Sequence, residues 1–251
     1  MKYISYELKL MLKSKLFVFS FVLSILCMVI GITGNRLMIE MEQGLTIFFS
    51  GFSLSTSSIL PLLAPLLAAL PMADAYINDS QNNMTTAIFT RQTKKKYFMN
   101  KFVSVGFSGF LALFIPLSLL LAVNLMIYPD FSGAYVGTIG GAFSEVYEKN
   151  QLLYAMILIF NSSIFGFIYA NVGLVSSFFF KNKYICVFFP LLVYFVPSFV
   201  FPFLGLDRYE PVTTFDITSN TSTTVFLITV QLFVLASATF LMGYQKITKR
   251  T

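Results

Sequence analysis

Side chains able to do chemistry are scarce in this sequence and poorly spaced for it. Histidine is absent, and the two cysteines, Cys27 and Cys186, each fall inside an apolar run rather than in a close pair. Neither a zinc site nor a redox pair can be assembled from them. No Gly-x-x-x-x-Gly-Lys-Ser/Thr stretch occurs, so the chain has no nucleotide-binding P-loop of its own. Its apolar runs contain four amides, Asn124, Asn161, Asn171 and Gln231, and no carboxylate or lysine at mid-membrane depth. An intramembrane enzyme needs paired carboxylates, a metal cluster or a serine with a base. A proton-coupled carrier commonly needs an ionisable group at depth. The residues predict no catalytic site, metal or cofactor on this chain. The amides read as interhelical hydrogen-bond glue, with cavity lining as the functional alternative.

Polar chemistry concentrates instead between Asp74 and Lys101. Apolar runs flank this stretch, and it ends in the basic series Arg91, Lys94, Lys95, Lys96 and Lys101. Ile77, Met84 and Ile88 fall on one helical stripe, interrupted by Gln81, while Asp79, Asn82, Asn83 and Thr86 face elsewhere. The pattern suits a short amphipathic helix between two membrane crossings. Such a helix can lie against lipid headgroups or enter a groove on another protein.

The elements that must position this segment can be read from composition. The chain of 251 residues is 57% hydrophobic, 11% charged and 17% aromatic, with a mean hydropathy of +0.78. These values predict an all-α integral membrane protein forming a single domain. Six transmembrane helices are expected at about 16–33, 52–72, 102–128, 152–180, 184–204 and 223–243. Residues 1–15 place Ile4, Leu8 and Met11 on one face and Lys2, Lys9 and Lys13 on another, which predicts an interfacial amphipathic helix. Pro61 and Pro65 should bend the second crossing, and Pro190, Pro197 and Pro202 should break the outer half of the fifth. Ser162, Gly166 and Ala170, at four-residue steps, should let a neighbouring helix approach closely.

Charge fixes the orientation, because lysine and arginine near crossings are retained on the cytoplasmic side. With both termini inside, 14 of the 17 basic residues lie inside, leaving Arg36, Lys149 and Arg208 outside. The net charge of +6 therefore reflects cytoplasmic loops facing anionic lipid, and nucleic acid is not an expected partner.

The layout resembles the membrane subunit of type-2 ATP-binding-cassette exporters, six-span permeases that work with a separate ATPase. The resemblance is carried by the basic amphipathic N-terminus, the polar loop after the second crossing, and the stretch from Thr90 to Lys101 leading into the third. Members typically show an acidic residue and a Gly-Thr step early in this loop, then a Pro-x-Ser-Arg-x-x-Tyr-like stretch ending in lysine. Tyr97 and Lys101 match; Asp79-Ser80, Gln92 and Lys95 stand where Gly-Thr, proline and arginine are usual. The resemblance implies a coupling helix within about Asn78 to Arg91 that docks on the ATPase, with Ile77, Asp79, Met84, Ile88 and Arg91 as its docking residues. It also implies that Lys94, Lys95, Lys96 and Lys101 anchor the cytoplasmic face, and that the N-terminal helix buttresses the coupling helix. The segment from Gly205 to Ser222 is similar to the short re-entrant helices that shape the exit in this family. An ordinary kinked helix and loop is the other reading of that segment.

The resemblance also implies a function. The chain would be the permease of an ATP-driven exporter in a bacterial cell membrane, with ATP and Mg on the partner. It would act as a homodimer or with a similar permease, moving an amphipathic or apolar cargo such as a toxic peptide, a drug or a lipid-linked molecule. An ion-coupled secondary transporter and a sensory or structural membrane subunit are the alternatives.

Overall fold

The computed structural model describes residues 7, 9, 11–34, 44–54, 58–82, 84–127, 141–219 and 222–249. The expectations for Lys2, Ile4, Leu8, Arg36 and Asn83, and for the end of the third crossing at Tyr128, lie outside the described residues. In chain order the helices are α1 (Lys15–Gly34), α2 (Thr46–Phe52), α3 (Leu60–Ala69), α4 (Ala75–Gln81), α5 (Met84–Phe89), α6 (Lys94–Ile127), α7 (Ser144–Lys149), α8 (Gln151–Ser176), α9 (Lys183–Phe203), α10 (Val212–Phe215) and α11 (Val225–Lys249). A 3-10 turn covers Asp207–Tyr209. No strand occurs among the described residues. Five helices, α1, α6, α8, α9 and α11, are long and apolar enough to cross a membrane.

The run from 52 to 72 does not form one such helix. It is split between the end of α2 and the 10 residues of α3, followed by turns through 70–74. Backbone chemistry accounts for both ends of α3. Pro61 sits in its first turn, where a missing N–H costs nothing, and Pro71 arrives just after its last residue with no N–H to continue the ladder. Pro65 is accommodated within the helix. Helix α6 departs from expectation in the other direction. It begins at Lys94, eight residues before the expected crossing at 102, so the basic series and the apolar run form one 34-residue rod that continues through Pro116. Nothing between Lys94 and Lys101 opposes helix, since the stretch lacks glycine, proline and β-branched residues. Likewise, α9 runs through Pro190 and Pro197 without a break and ends only past Pro202, at Phe203. Gly205, at φ +70, then turns the chain through the left-handed region, with the Leu206 amide donating to the Phe201 carbonyl at 2.9 Å.

Helices α6 and α8 form the central antiparallel pair and share the most extensive interface in the molecule. They cross at two glycines: a Cβ on Gly109 would lie 2.3 Å from the Gly166 carbonyl oxygen, and one on Gly166 would lie 2.6 Å from the Gly109 carbonyl oxygen. The small residues of α8 thus meet a matching small surface on α6, which the pattern on α8 alone did not reveal. Around this pair, α3 and α9 pack on one side and α11 on another, while α1 packs on α2, α3 and α6.

The segment after Gly205 returns into the bundle. Val212, Thr213, Thr214, Phe215, Asp216 and Ile217 are all buried. Phe215 stacks on Phe52 with ring centroids 5.3 Å apart and meets Phe165 edge-on at 5.2 Å. At the opposite end lysines of α6 and α11 gather, with Lys95 Nζ 5.7 Å from the Tyr244 ring and Lys246 Nζ 4.6 Å from the Phe179 ring.

Candidate functional site

The basic end is built around one buried ammonium. Tyr97 and Lys101 lie one turn apart on α6, so both project to the same side, and both are buried. Lys101 Nζ lies 2.6 Å from Glu7 Oε1 and 2.9 Å from Asp79 Oδ2. The Tyr97 hydroxyl donates to the same Asp79 oxygen at 2.6 Å. Glu7 comes from the N-terminal segment, Asp79 from α4 and Lys101 from the rod of α6, so three separate pieces of chain are joined at one cation. The second Glu7 oxygen, Oε2, is buried with no hydrogen-bond partner among the described residues. Two carboxylates held by one ammonium in a nearly dry site are a poor source of net stability but a strict positional constraint, because separation strands buried charge.

Aromatic rings surround the ion cluster. The Tyr97 ring is flanked by Tyr76 of α4 at 6.4 Å and Phe89 of α5 at 5.4 Å, both edge-on. Tyr76 in turn meets Phe178 at 4.7 Å. Helices α4 and α5 are thereby fastened to the end of α6 by an ion cluster at Asp79 and by ring packing at Phe89.

The structure sorts the expected docking residues into two groups. The single amphipathic stripe becomes two short helices meeting near Asn82, so Ile77 and Met84 do not share a helix. Ile77 is buried at 4% exposure and Asp79 points at Lys101, so both face the protein. Ile88 is half-buried against the Tyr97 cluster. Met84, 53% exposed, and Arg91, also exposed, face outward. No residue of α5 is buried. Of the basic series, Lys95 and Lys96 are exposed and Lys94 half-exposed, whereas Lys101 is 3% exposed and serves the ion cluster rather than the surface.

Sequence reasoning passed over Glu7, although a signal was present: it shares the helical spacing of Ile4, Leu8 and Met11, and an acid on an apolar stripe asks for a buried cation. Met11 is buried, as that face requires.

The four amides have different surroundings. Asn124 Nδ2 donates to the Gly44 carbonyl at 3.1 Å, and Asn161 Nδ2 to the Thr214 carbonyl at 2.8 Å, each tying a long helix to a neighbouring segment. Asn171 donates within its own helix, to the Phe167 carbonyl at 2.9 Å, and lines a cavity of about 460 Å³ between α6, α8 and α11. Its Oδ1 and both amide atoms of Gln231 are buried and without a hydrogen-bond partner among the described residues.

At the end opposite the lysines, Asp216 organises a second polar knot. Its Oδ2 accepts from the Leu54 amide at 2.8 Å and the Ser53 hydroxyl at 2.9 Å. Its Oδ1 accepts from the Thr218 amide at 3.0 Å and from the Thr218 hydroxyl. The carboxylate fastens the returning segment to the break between α2 and α3. Burial pushes the Asp216 carboxyl above its ordinary value, and these donors only partly offset that shift. Glu210 is also raised, by burial first and by Asp207 second. Among the described residues no group of three or more His, Cys, Asp or Glu side chains could hold a metal ion.

Compared with protein-family models and with curated proteins, the sequence matches none. The class therefore rests on the fold: an all-helical, multi-pass membrane protein with five helices of spanning length and composition.

Proposed function

We propose that this chain is the membrane subunit of an ATP-driven exporter, levered by a separate ATPase that grips the basic end. The observation that carries the reading is the construction of that end. Helix α5 buries none of its residues and presents Met84 outward, with Arg91 exposed in the turn just after it. Beside it, α4 is bolted through Asp79 to Lys101 on the 34-residue α6. An exposed helix joined to one that cannot move independently of a spanning rod is what a lever requires. Displacement of α5 by a partner then shifts α6, and through the glycine crossing shifts α8.

In this reading both termini lie in the cytoplasm of a bacterial cell, and the membrane is crossed six times. Helix α3 and the turns through 70–74 supply the second crossing, which leads into α4 at the basic end. The exposed apolar faces of α1, α9 and α11 leave room for a second permease chain, and the cargo is amphipathic or apolar. ATP and Mg are bound by the ATPase.

The test is copurification. Met84→Asp combined with Arg91→Glu, both at exposed positions, should abolish recovery of an ATP-hydrolysing subunit with the chain while leaving its membrane insertion unchanged. Undiminished recovery would overturn the assignment of α5 as the gripped element.

A further inference from the structure

Helices α1 and α9 both pack on α3 but make little contact with each other, which leaves a slot with α3 as its floor. The slot has a volume of about 780 Å³, within the range of small-molecule sites. Its walls are apolar: Leu16 and Phe19 on one side, Val187 and Phe188 on the other, Leu66 and Leu70 beneath. Phe19 and Phe188 are 57% and 52% exposed, so the chain itself does not cover them. At the basic end the character changes abruptly, for Lys181, Asn182 and Lys183 form the lip, with Asp74 and Gln81 opposite. Two ammonium groups against one carboxylate give the lip a net positive charge. The N-terminus of the 21-residue α9 opens there too, adding its partial positive charge. Tyr184, 77% exposed at the same level, presents the ring and hydroxyl suited to a membrane interface.

A long apolar slot parallel to spanning helices, closed at one end by cations, has the polarity of a phospholipid with an anionic headgroup. We infer that the α1–α3–α9 slot is a binding site for an anionic phospholipid, its phosphate held between Lys181 and Lys183 and an acyl chain lying along Phe19, Leu66 and Phe188. Charge complementarity selects this occupant over a zwitterionic lipid, because basic clefts between membrane helices retain anionic headgroups. The exposed walls select it over a soluble phosphate, which would leave them unused. The inference rests on the helices crossing a bilayer and not on the ATPase, so either reading can fail without the other.

The test is native mass spectrometry of the purified full chain, together with any partner it carries, titrated with phosphatidylglycerol or with phosphatidylcholine of the same acyl chains. Preferential retention of phosphatidylglycerol is expected. Lys181→Gln with Lys183→Gln should weaken that retention roughly 30-fold, each basic residue near an anionic headgroup contributing about a fivefold factor. Lys95→Gln with Lys96→Gln, which removes equal charge outside the slot, should leave retention unchanged. Leu66→Trp, which fills the floor without altering charge, should also weaken it. Equal retention of the two lipids, undiminished retention by the lip variant, or competition by glycerol phosphate as effective as by phosphatidylglycerol would each overturn the assignment. So would efficient disulfide formation between copies carrying Phe19→Cys and Phe188→Cys, which would make a second chain the occupant.

Discussion

Replacing Lys101 by methionine should be the most damaging single change at the basic end. The substitution keeps the length of the side chain and its helix propensity, so packing and local structure are nearly conserved. What it removes is the ammonium that lies within 3 Å of both Glu7 Oε1 and Asp79 Oδ2. The side chains of these acids are 9% and 15% exposed, so the carboxylates are left nearly dry and facing one another. Breaking a buried pair by removing one partner costs about 3–5 kcal/mol, equivalent for a chain of this size to a fall of roughly 6–20 °C in unfolding temperature. The protein supplies its own probe, because Cys27 and Cys186 are both buried. A thiol-reactive fluorophore will report their release as detergent-solubilised protein is heated. The triple variant Glu7→Gln, Asp79→Asn, Lys101→Met, which removes all three charges, should recover most of the loss. A Lys101→Met protein that melts with the wild type would refute the argument. So would a triple variant no better than the single one, which would mean that the shape of lysine rather than charge pairing mattered.

Three further outcomes are expected from the packing and the second polar knot. Gly109→Val should cost at least about 1–3 kcal/mol, because a Cβ there would meet backbone at 2.3 Å and the α6–α8 pair must separate; normal thermal stability of this variant would show that the crossing is looser than described. Tyr97→Phe keeps the ring between Tyr76 and Phe89 but deletes the hydroxyl on Asp79, and should lower stability by about 1–3 kcal/mol in the same thiol assay; an unchanged melt would remove Tyr97 from the ion cluster. The raised carboxyl of Asp216 sets a pH dependence: the ionised form is disfavoured in the folded state, so stability is highest below the ordinary value of 3.8 and declines as pH rises through the interval up to the raised folded value. Asp216→Asn should flatten that decline, leaving the part due to Glu210. It should also cost about 1–3 kcal/mol, because each oxygen receives one backbone N–H, from Leu54 or Thr218, and either amide orientation opposes one of them. A decline equally steep in Asp216→Asn would place its origin elsewhere.

Much of the architecture was legible because bilayer-length apolar runs announce themselves. The helices Lys15–Gly34, Gln151–Ser176 and Lys183–Phe203 begin within a residue of the expected positions. The short pieces were not legible. Nothing in the hydropathy of residues 52 to 72 says that Ser53, Leu54, Ser58 and Ile59 leave the helix, because the bond that holds this break runs to Asp216, more than 160 residues away. The same distance hid Asp216, which in sequence reads as one more polar loop residue. Lys101 was noticed as the end of a basic series, yet its role depends on Glu7, 94 residues earlier, and on Asp79. Local periodicity placed Met84 and Ile77 on one stripe because a break at Asn82 leaves little trace in a polar segment. The glycine crossing was half legible: the steps Ser162, Gly166 and Ala170 pointed to a close neighbour, but only the packed structure identifies Gly109 as the residue that meets Gly166 and Ala170.

The proposed exporter requires a cytoplasmic motor on the outward face of α5. A photo-crosslinking side chain introduced at Met84 in growing cells, with Tyr209 at the opposite end as control, tests it most directly. The account predicts a covalent adduct between position 84 and a cytoplasmic P-loop ATPase, and none from position 209. An adduct from position 84 only to lipid or to exterior proteins, with no ATPase recovered, would contradict it.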